Sequence, residues 1–226
     1  KEMMDKNKIL VLMSGTLHSE SVLKNIFGLD NYIIIDAEVE GQGKIEVMRT
    51  GLEKDFKYSN LNGKFSREEY LLALSKCVEM AKQPVLVHVN AYADLPSEQE
   101  LEEFDIDNLI SREKLKEIQE EDKTGELVER FKSGKSDVLF STRSARGMDF
   151  PGEQCNSIIF TKYPNPNVQD AFWKILNQTK PQFYWEFYRD KARRELWQKV
   201  YRGLRFKEDH VYLLSPDVRV LDAFRE

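Results

Sequence analysis

Cysteine and histidine are scarce in this chain. Among 226 residues there are two cysteines, Cys77 and Cys155, and three histidines, His18, His88 and His210. None stands at the spacing of a zinc or iron–sulfur ligand pair, which argues against a metal centre built on them; no metal-binding residue is expected. Two cysteines are also too few for a disulfide framework, and Cys77 falls in an apolar helical pattern that predicts a buried thiol. No apolar run approaches the ~18 residues of a membrane span, and no signal-peptide pattern opens the chain. A cytoplasmic protein without a membrane partner is expected, nucleoid-associated if prokaryotic. The chain opens on Lys1 rather than methionine, so it is read as part of a longer protein.

A phosphate loop is lacking as well. Ser133-Gly134-Lys135-Ser136 ends like one, but Glu129 stands where the pattern needs glycine. A phosphate loop also follows a strand and opens a helix, whereas here a helix is expected before and a strand after. The segment reads as an exposed helix-to-strand turn.

Charge is unevenly spread. The net value is −5, which by itself does not suggest a polyanion ligand. Residues 94–128 hold 13 acidic against four basic side chains, and residues 129–226 hold 18 basic against 13 acidic. The basic residues therefore collect in the second half, and the acidic stretch reads as a solvated helical face.

The hydrophobic pattern predicts alternating elements. Lys8–Met13, Tyr32–Asp36 and Ile45–Arg49 read as strands, with a helix capped by Ser19 and stopped at Gly28 between the first two. Asp55–Phe65 reads as polar loop. Ser66 and Glu69 form a capping box for a helix to about Lys82, and Ser97 and Glu100 form another. Pro84–Asn90, Asp137–Ser141, Ser157–Thr161 and His210–Leu214 read as strands, and Phe104–Ile110 as a short one. Helices are expected over residues 115–131 with a break near Gly125, over Val168–Asn177, and from Pro181 to about Leu204. Strands alternating with helices imply an α/β domain with a mostly parallel sheet. In such sheets functional residues gather beyond the carboxyl ends of the strands, where Ser14, Asn90 and Thr142 fall.

Three segments carry chemistry. Gln198, Arg202 and Arg205 stand at i, i+4 and i+7, so a continuous helix would align them as a fork for phosphate oxygens. Upstream, Ser141-Thr142-Arg143-Ser144-Ala145-Arg146-Gly147-Met148-Asp149-Phe150 follows a strand. Thr142, Arg143 and nearby amides suit a nucleic-acid phosphate, Gly147 permits close backbone approach, and Asp149 can accept from a ribose hydroxyl. Ser14-Gly15-Thr16 ends the first apolar run. The aromatic cluster from Phe172 to Tyr201 recurs at helical spacing and reads mainly as core, with Tyr163 or Trp185 free to touch a strand.

In this order the segments resemble the later motifs of a superfamily 2 helicase. STRSARGMDFPGEQCNSIIFTKYPNP resembles motif V, and QKVYRGLR resembles motif VI, usually written QxxGRxxR. VLMSGTL resembles motif III and PVLVHVNAYADL motif IV of the XPD/DinG-type DNA helicases, whose terminal Asp-x-Arg is matched by SPDVR. The likeness covers residues 8–220. Tyr201 stands where motif VI usually has glycine, and Arg146 where this group usually has glutamate.

The resemblance implies a RecA-like three-layer sandwich with a mostly parallel central sheet, the fold of a helicase C-terminal domain. Residues 1–40 would be the end of a first RecA-like domain with its linker, and residues 41–226 the second domain. It implies ATP and Mg2+, with the metal held by the first domain of the same protein. Arg205 and Arg202 would act as catalytic arginine fingers on the γ-phosphate, with Gln198, Gly147 and Asp149 also at the ATP site. Asn90, Tyr92, Thr142 and Arg143 would hold single-stranded DNA, or RNA in a related enzyme. Ser14, Gly15 and Thr16 would couple hydrolysis to movement. A non-catalytic helicase-like binding module is the remaining alternative.

Overall fold

The computed structural model describes residues 6, 9, 11–14, 16–35, 43–61, 63–142 and 148–225. The chain falls into two compact units. One comprises residues 1–38 and 164–198, the other residues 39–163 and 199–226.

The larger unit is built on a sheet of five parallel strands: β1 (Lys44–Val47), β2 (Val85–His88), β3 (Val138–Ser141), β4 (Ser157–Phe160) and β5 (His210–Leu214). Their order across the sheet is β1-β5-β4-β2-β3, and every pairing is parallel. The fold is thus α/β, with an all-parallel sheet where the sequence implied a mostly parallel one. Position in the sheet explains strand composition. Of the three inner strands, β2 and β4 are buried at every residue and read as unbroken Val-Leu-Val-His and Ser-Ile-Ile-Phe, while β5, next to the edge, alternates before ending buried. The edge strand β1 alternates exposed and half-buried residues.

Helices of this unit begin at the expected signals. Ser66 Oγ accepts from Glu69 N at 3.0 Å, and Glu69 Oε2 accepts from Ser66 N at 2.7 Å. That capping box opens a 14-residue helix, Arg67–Met80, whose Tyr70, Leu71, Ala73, Leu74 and Cys77 enter the core beside Val85, Val87 and Ile159. Ser97 caps Glu98–Glu103 in the same way, and Ser111 caps Arg112–Glu121. Glu126–Lys132 follows, then Gly134 at φ +69°, which turns the chain into β3. Two short helices, Tyr58–Leu61 and Val218–Asp222, were not anticipated. Phe104–Ile110 holds turns and bends instead of a strand. Its Ile106 and Leu109 still join the core, so their apolarity marks burial and not pairing.

The smaller unit holds a short helix, Glu20–Asn25, capped by Ser19. It also holds Ala171–Thr179 and most of the 20-residue helix Pro181–Val200, whose last two residues group with the larger unit. Its core is Val22, Trp173, Leu176, Tyr184 and Phe187, whereas Phe172 and Trp185 are exposed. The sequence places strands at Lys8–Met13 and Tyr32–Asp36. The described residues there, 9, 11–13 and 32–35, form none. Met13 is 92% exposed and Ile33 87% exposed. Propensity reports only fitness for a half-buried pleated surface, and a strand needs a neighbour to accept its ladder.

In chain order, and as used below, α1 is Glu20–Asn25, α2 Tyr58–Leu61, α3 Arg67–Met80, α4 Glu98–Glu103 and α5 Arg112–Glu121. They are followed by α6 (Glu126–Lys132), α7 (Ala171–Thr179), α8 (Pro181–Val200) and α9 (Val218–Asp222). No described helix is long and apolar enough to cross a membrane.

The sheet order positions the site. From β1 through β3 the chain advances toward one edge, and from β4 to β5 it returns toward the other. β2 and β4 are thus neighbours whose onward connections run in opposite directions, the place in the topology where ligands of such sheets bind.

Candidate functional site

Polar groups staple the loops beyond β2 and β4. Asn90 N donates to Thr161 Oγ1 at 3.0 Å, and the Thr161 hydroxyl donates to Asp94 Oδ2 at 3.1 Å. Asp94 is almost wholly buried. It accepts from Ala91 N at 3.1 Å and pairs with Lys162 Nζ at 2.7 Å. Tyr70 donates to the Thr161 carbonyl at 3.1 Å, and its ring lies 4.9 Å from Lys162 Nζ. The backbone amide of Asn90 is thus committed within the protein, while its side chain is exposed.

A second link joins the loops beyond β2 and β3. Tyr92 and Thr142 both donate their hydroxyls to Gln119 Oε1, at 3.1 and 2.6 Å. Gln119 is buried on α5. Each hydroxyl has a single proton, so in this arrangement both can only accept from a further partner. Arg143 and Gly147, expected at the same loop, lie outside the described residues.

The basic stripe does not survive as a helical face. α8 ends at Val200, Arg202 sits in a 3-10 turn, Tyr201–Gly203, and Leu204 is extended at φ −127°. Arg205 therefore lies beyond the helix, past the turn. The turn is forced by packing. A Cβ on Gly203 would lie 2.8 Å from Val211 Cγ2 and 3.3 Å from Ile158 Cδ1, so the backbone presses directly onto β4 and β5. The close approach falls at Gly203, which leaves room for Tyr201 where the motif usually has glycine.

Asp209 shapes the segment carrying Arg205. It accepts from Arg205 N at 2.6 Å, Phe206 N at 2.7 Å and Gly152 N at 2.9 Å. Burial pushes its carboxyl up, but the three amides outweigh burial and hold it below the usual carboxylate range. The Arg205 guanidinium then pairs with Asp149, and both side chains stay partly exposed. Phe150 N donates to the Arg202 carbonyl at 2.9 Å, which ties the two segments together again. Arg202 is half-buried.

In the smaller unit, Thr16 docks on α8. Arg194 donates twice to the Thr16 carbonyl, at 3.1 and 2.8 Å, and Gln198 Nε2 donates to Thr16 Oγ1 at 2.6 Å. Ser14 Oγ donates to the Thr16 carbonyl at 2.7 Å. Gln198, expected at a nucleotide, here engages the expected coupling segment. Gly15 lies outside the described residues.

Sequence reasoning missed Asp94, Thr161, Lys162, Gln119, Asp190, Arg194 and Asp209. Asp190, Arg194 and Gln198 recur every four residues, a signal that was available. The others act across loops and leave no periodic trace. Among the described residues no group of three or more His, Cys, Asp or Glu could hold a metal ion.

Comparison with known proteins gives a family and a fold. A family model described as the helicase C-terminal domain matches residues 74–224. A solved structure titled "XPD_APO" superposes with a TM-score of 0.62 at 20% identity, covering 92% of this chain and 44% of that one. A second, titled "Structure of S. tokodaii Xpd4", gives 0.58 at 22% identity, with 99% and 43% covered. The chain therefore spans less than half the length of these structures, and at such identities the likeness is one of fold. No curated protein matches the sequence.

Proposed function

The chain belongs to the helicase C-terminal domain family, and on that premise we propose that it is the second RecA-like motor domain of an ATP-dependent helicase of the XPD type. In this reading residues 1–40 end a first RecA-like domain, and ATP binds between that domain and this one. The carrying observation is the Arg205–Asp149 pair, which holds a guanidinium at the surface beside the motif V segment. A guanidinium is worth most catalytically where it meets charge developing on a transferred phosphoryl group. Asp149 keeps Arg205 oriented and neutralised until phosphate oxygens replace the carboxylate as its partner.

Arg202 is the second candidate finger, fixed through its carbonyl to Phe150. Mg2+ would neutralise phosphate charge in such a reaction. In this reading the first domain would hold it; among the described residues no group of three or more His, Cys, Asp or Glu could do so.

Single-stranded nucleic acid would cross the carboxyl ends of β2, β3 and β4, contacting phosphates without reading bases. Asn90 would meet it through its exposed side chain. Tyr92 and Thr142 would have to give up their hydrogen bonds to Gln119 Oε1 to donate to a phosphate. Thr16, docked by Arg194 and Gln198, supports the coupling role of Ser14–Thr16. The expected cytosolic, nucleic-acid-handling setting, with DNA repair as its natural use, belongs to the same proposal.

The test is strand-stimulated ATP hydrolysis. The full-length protein should hydrolyse ATP faster with single-stranded DNA than with RNA, and the 226-residue chain alone should show no turnover. Stronger stimulation by RNA points to the RNA enzyme of the superfamily. No turnover by the full-length protein with either strand makes the chain a binding module.

A further inference from the structure

Asp190, Arg194 and Gln198 share one face of α8, and all three hold residues 16–19 of the same unit. Asp190 Oδ1 accepts from Ser19 N at 3.0 Å. Arg194 and Gln198 hold the two oxygens of Thr16. His18 sits between these anchors, with Nδ1 bonded to Asp190 and Nε2 bonded to Nη1 of Arg194. The rings of Phe27 and Phe187 pack 5.2 and 5.3 Å from its centroid.

The partners decide where the imidazole proton lies. An ionised carboxylate only accepts and a guanidinium only donates. His18 must therefore donate through Nδ1 and accept through Nε2, which is the neutral Nδ1–H tautomer. We propose that neutral His18 is a positioning residue: it orients Arg194 onto the Thr16 carbonyl, and protonation of Nε2 releases the Ser14–Thr16 segment. The functional half of this inference rests on the coupling role proposed for that segment.

A proton on Nε2 turns the acceptor into a donor and sets a positive ring against a positive guanidinium. Arg194 must then turn away, and its two bonds to Thr16 go with it. The charged groups acting on the ring are Asp190, Arg194 and Lys191. Burial is the largest influence and disfavours the imidazolium, as do Arg194 and Lys191, while Asp190 favours it; the balance holds the ring below its ordinary 6.5. The unfolded chain thus takes up the proton more readily than the folded one. The stability of the clasp is full above pH 6.5 and declines as pH falls below it, the folded ring itself taking up the proton only at lower pH.

Ring-nitrogen NMR on the 226-residue chain reads the clasp directly, with His18 assigned by the signals lost in His18→Gln. A proton on Nδ1 and a bare Nε2 are expected at about pH 7.5. A proton on Nε2, or an imidazolium at that pH, overturns the proposal. After correction for intrinsic exchange, the amides of Thr16 and Ser19 should lose protection by up to about tenfold per pH unit as pH falls below 6.5, levelling off once the folded ring itself carries the proton. Unchanged protection overturns it without any variant having to fold. In the full-length protein, strand movement per ATP hydrolysed should fall at least about fivefold on the same titration while hydrolysis continues, and His18→Phe should flatten that profile. A clasp that titrates while movement does not follow refutes the coupling role alone and leaves the tautomer assignment standing.

Discussion

Arg205 reaches 56 residues back along the chain to pair with Asp149. The pair joins the two segments that carry the helicase resemblance, and it forms where both side chains keep access to solvent. An exposed pair of this kind contributes little to folding, because water already solvates both ions and two long side chains must be held still. Its position suits it better to keeping a cation ready for an anion.

Arg205→Ala should therefore separate stability from turnover. The unfolding free energy should change by less than about 1 kcal/mol. Strand-stimulated ATPase of the full-length protein should fall by about three orders of magnitude, while affinity for the strand is largely kept. Steady-state hydrolysis and a strand-binding titration on one preparation check this. Unchanged turnover would sink the finger assignment.

Asp94 should behave in the opposite way. Its side chain is 4% exposed and that of Lys162 is 18% exposed, so this pair is largely withdrawn from water. Asp94→Ala leaves a buried ammonium and the Thr161 hydroxyl without their partner. The expected loss is about 3–5 kcal/mol, read from the midpoint of urea unfolding with the slope unchanged. A loss as small as that of Arg205→Ala would mean that the Asp94 staple contributes little to the stability of the fold.

Stability should also fall in mild acid, and His88 is the main reason. Its ring is buried at the end of β2 against Phe160, with centroids 5.0 Å apart. Burial first, then the charges of Lys199 and Arg202, hold it well below the ordinary 6.5. Its Nε2 finds no hydrogen-bond partner among the described residues. The folded chain refuses a proton that the unfolded chain accepts, so this stability is complete above pH 6.5 and declines below it. Each such group steepens the decline by about 1.4 kcal/mol per pH unit. His18 acts in the same direction. Urea unfolding at a series of pH values should show the decline, and His88→Leu should make it shallower. A flat profile from neutral to mildly acid pH would count against a buried neutral ring.

Elements with strong local signals were legible in the sequence. Ser66 with Glu69, Ser97 with Glu100, and Pro181 at a first helical position each mark a helix that the structure contains. The unbroken apolar runs at Val85–His88 and Ser157–Phe160 became the inner strands. The same logic failed at Val11–Met13 and Ile33–Ile35, whose residues join no ladder among the described residues. It failed also at Phe104–Ile110, where apolar side chains reach the core from turns.

The alternation of strands and helices, and the order of motifs along the chain, follow from the sequence alone, because short-range periodicity and capping depend on neighbours a few residues apart. The end of α8 at Val200, the shared Gln119 acceptor, the Asp149 partner of Arg205 and the His18 clasp were decided only by the tertiary structure. The last three depend on groups far apart in sequence that meet through sheet order or helix packing, from the 23 residues between Gln119 and Thr142 to the 182 between Thr16 and Gln198. No local pattern encodes which loops a parallel sheet will bring side by side.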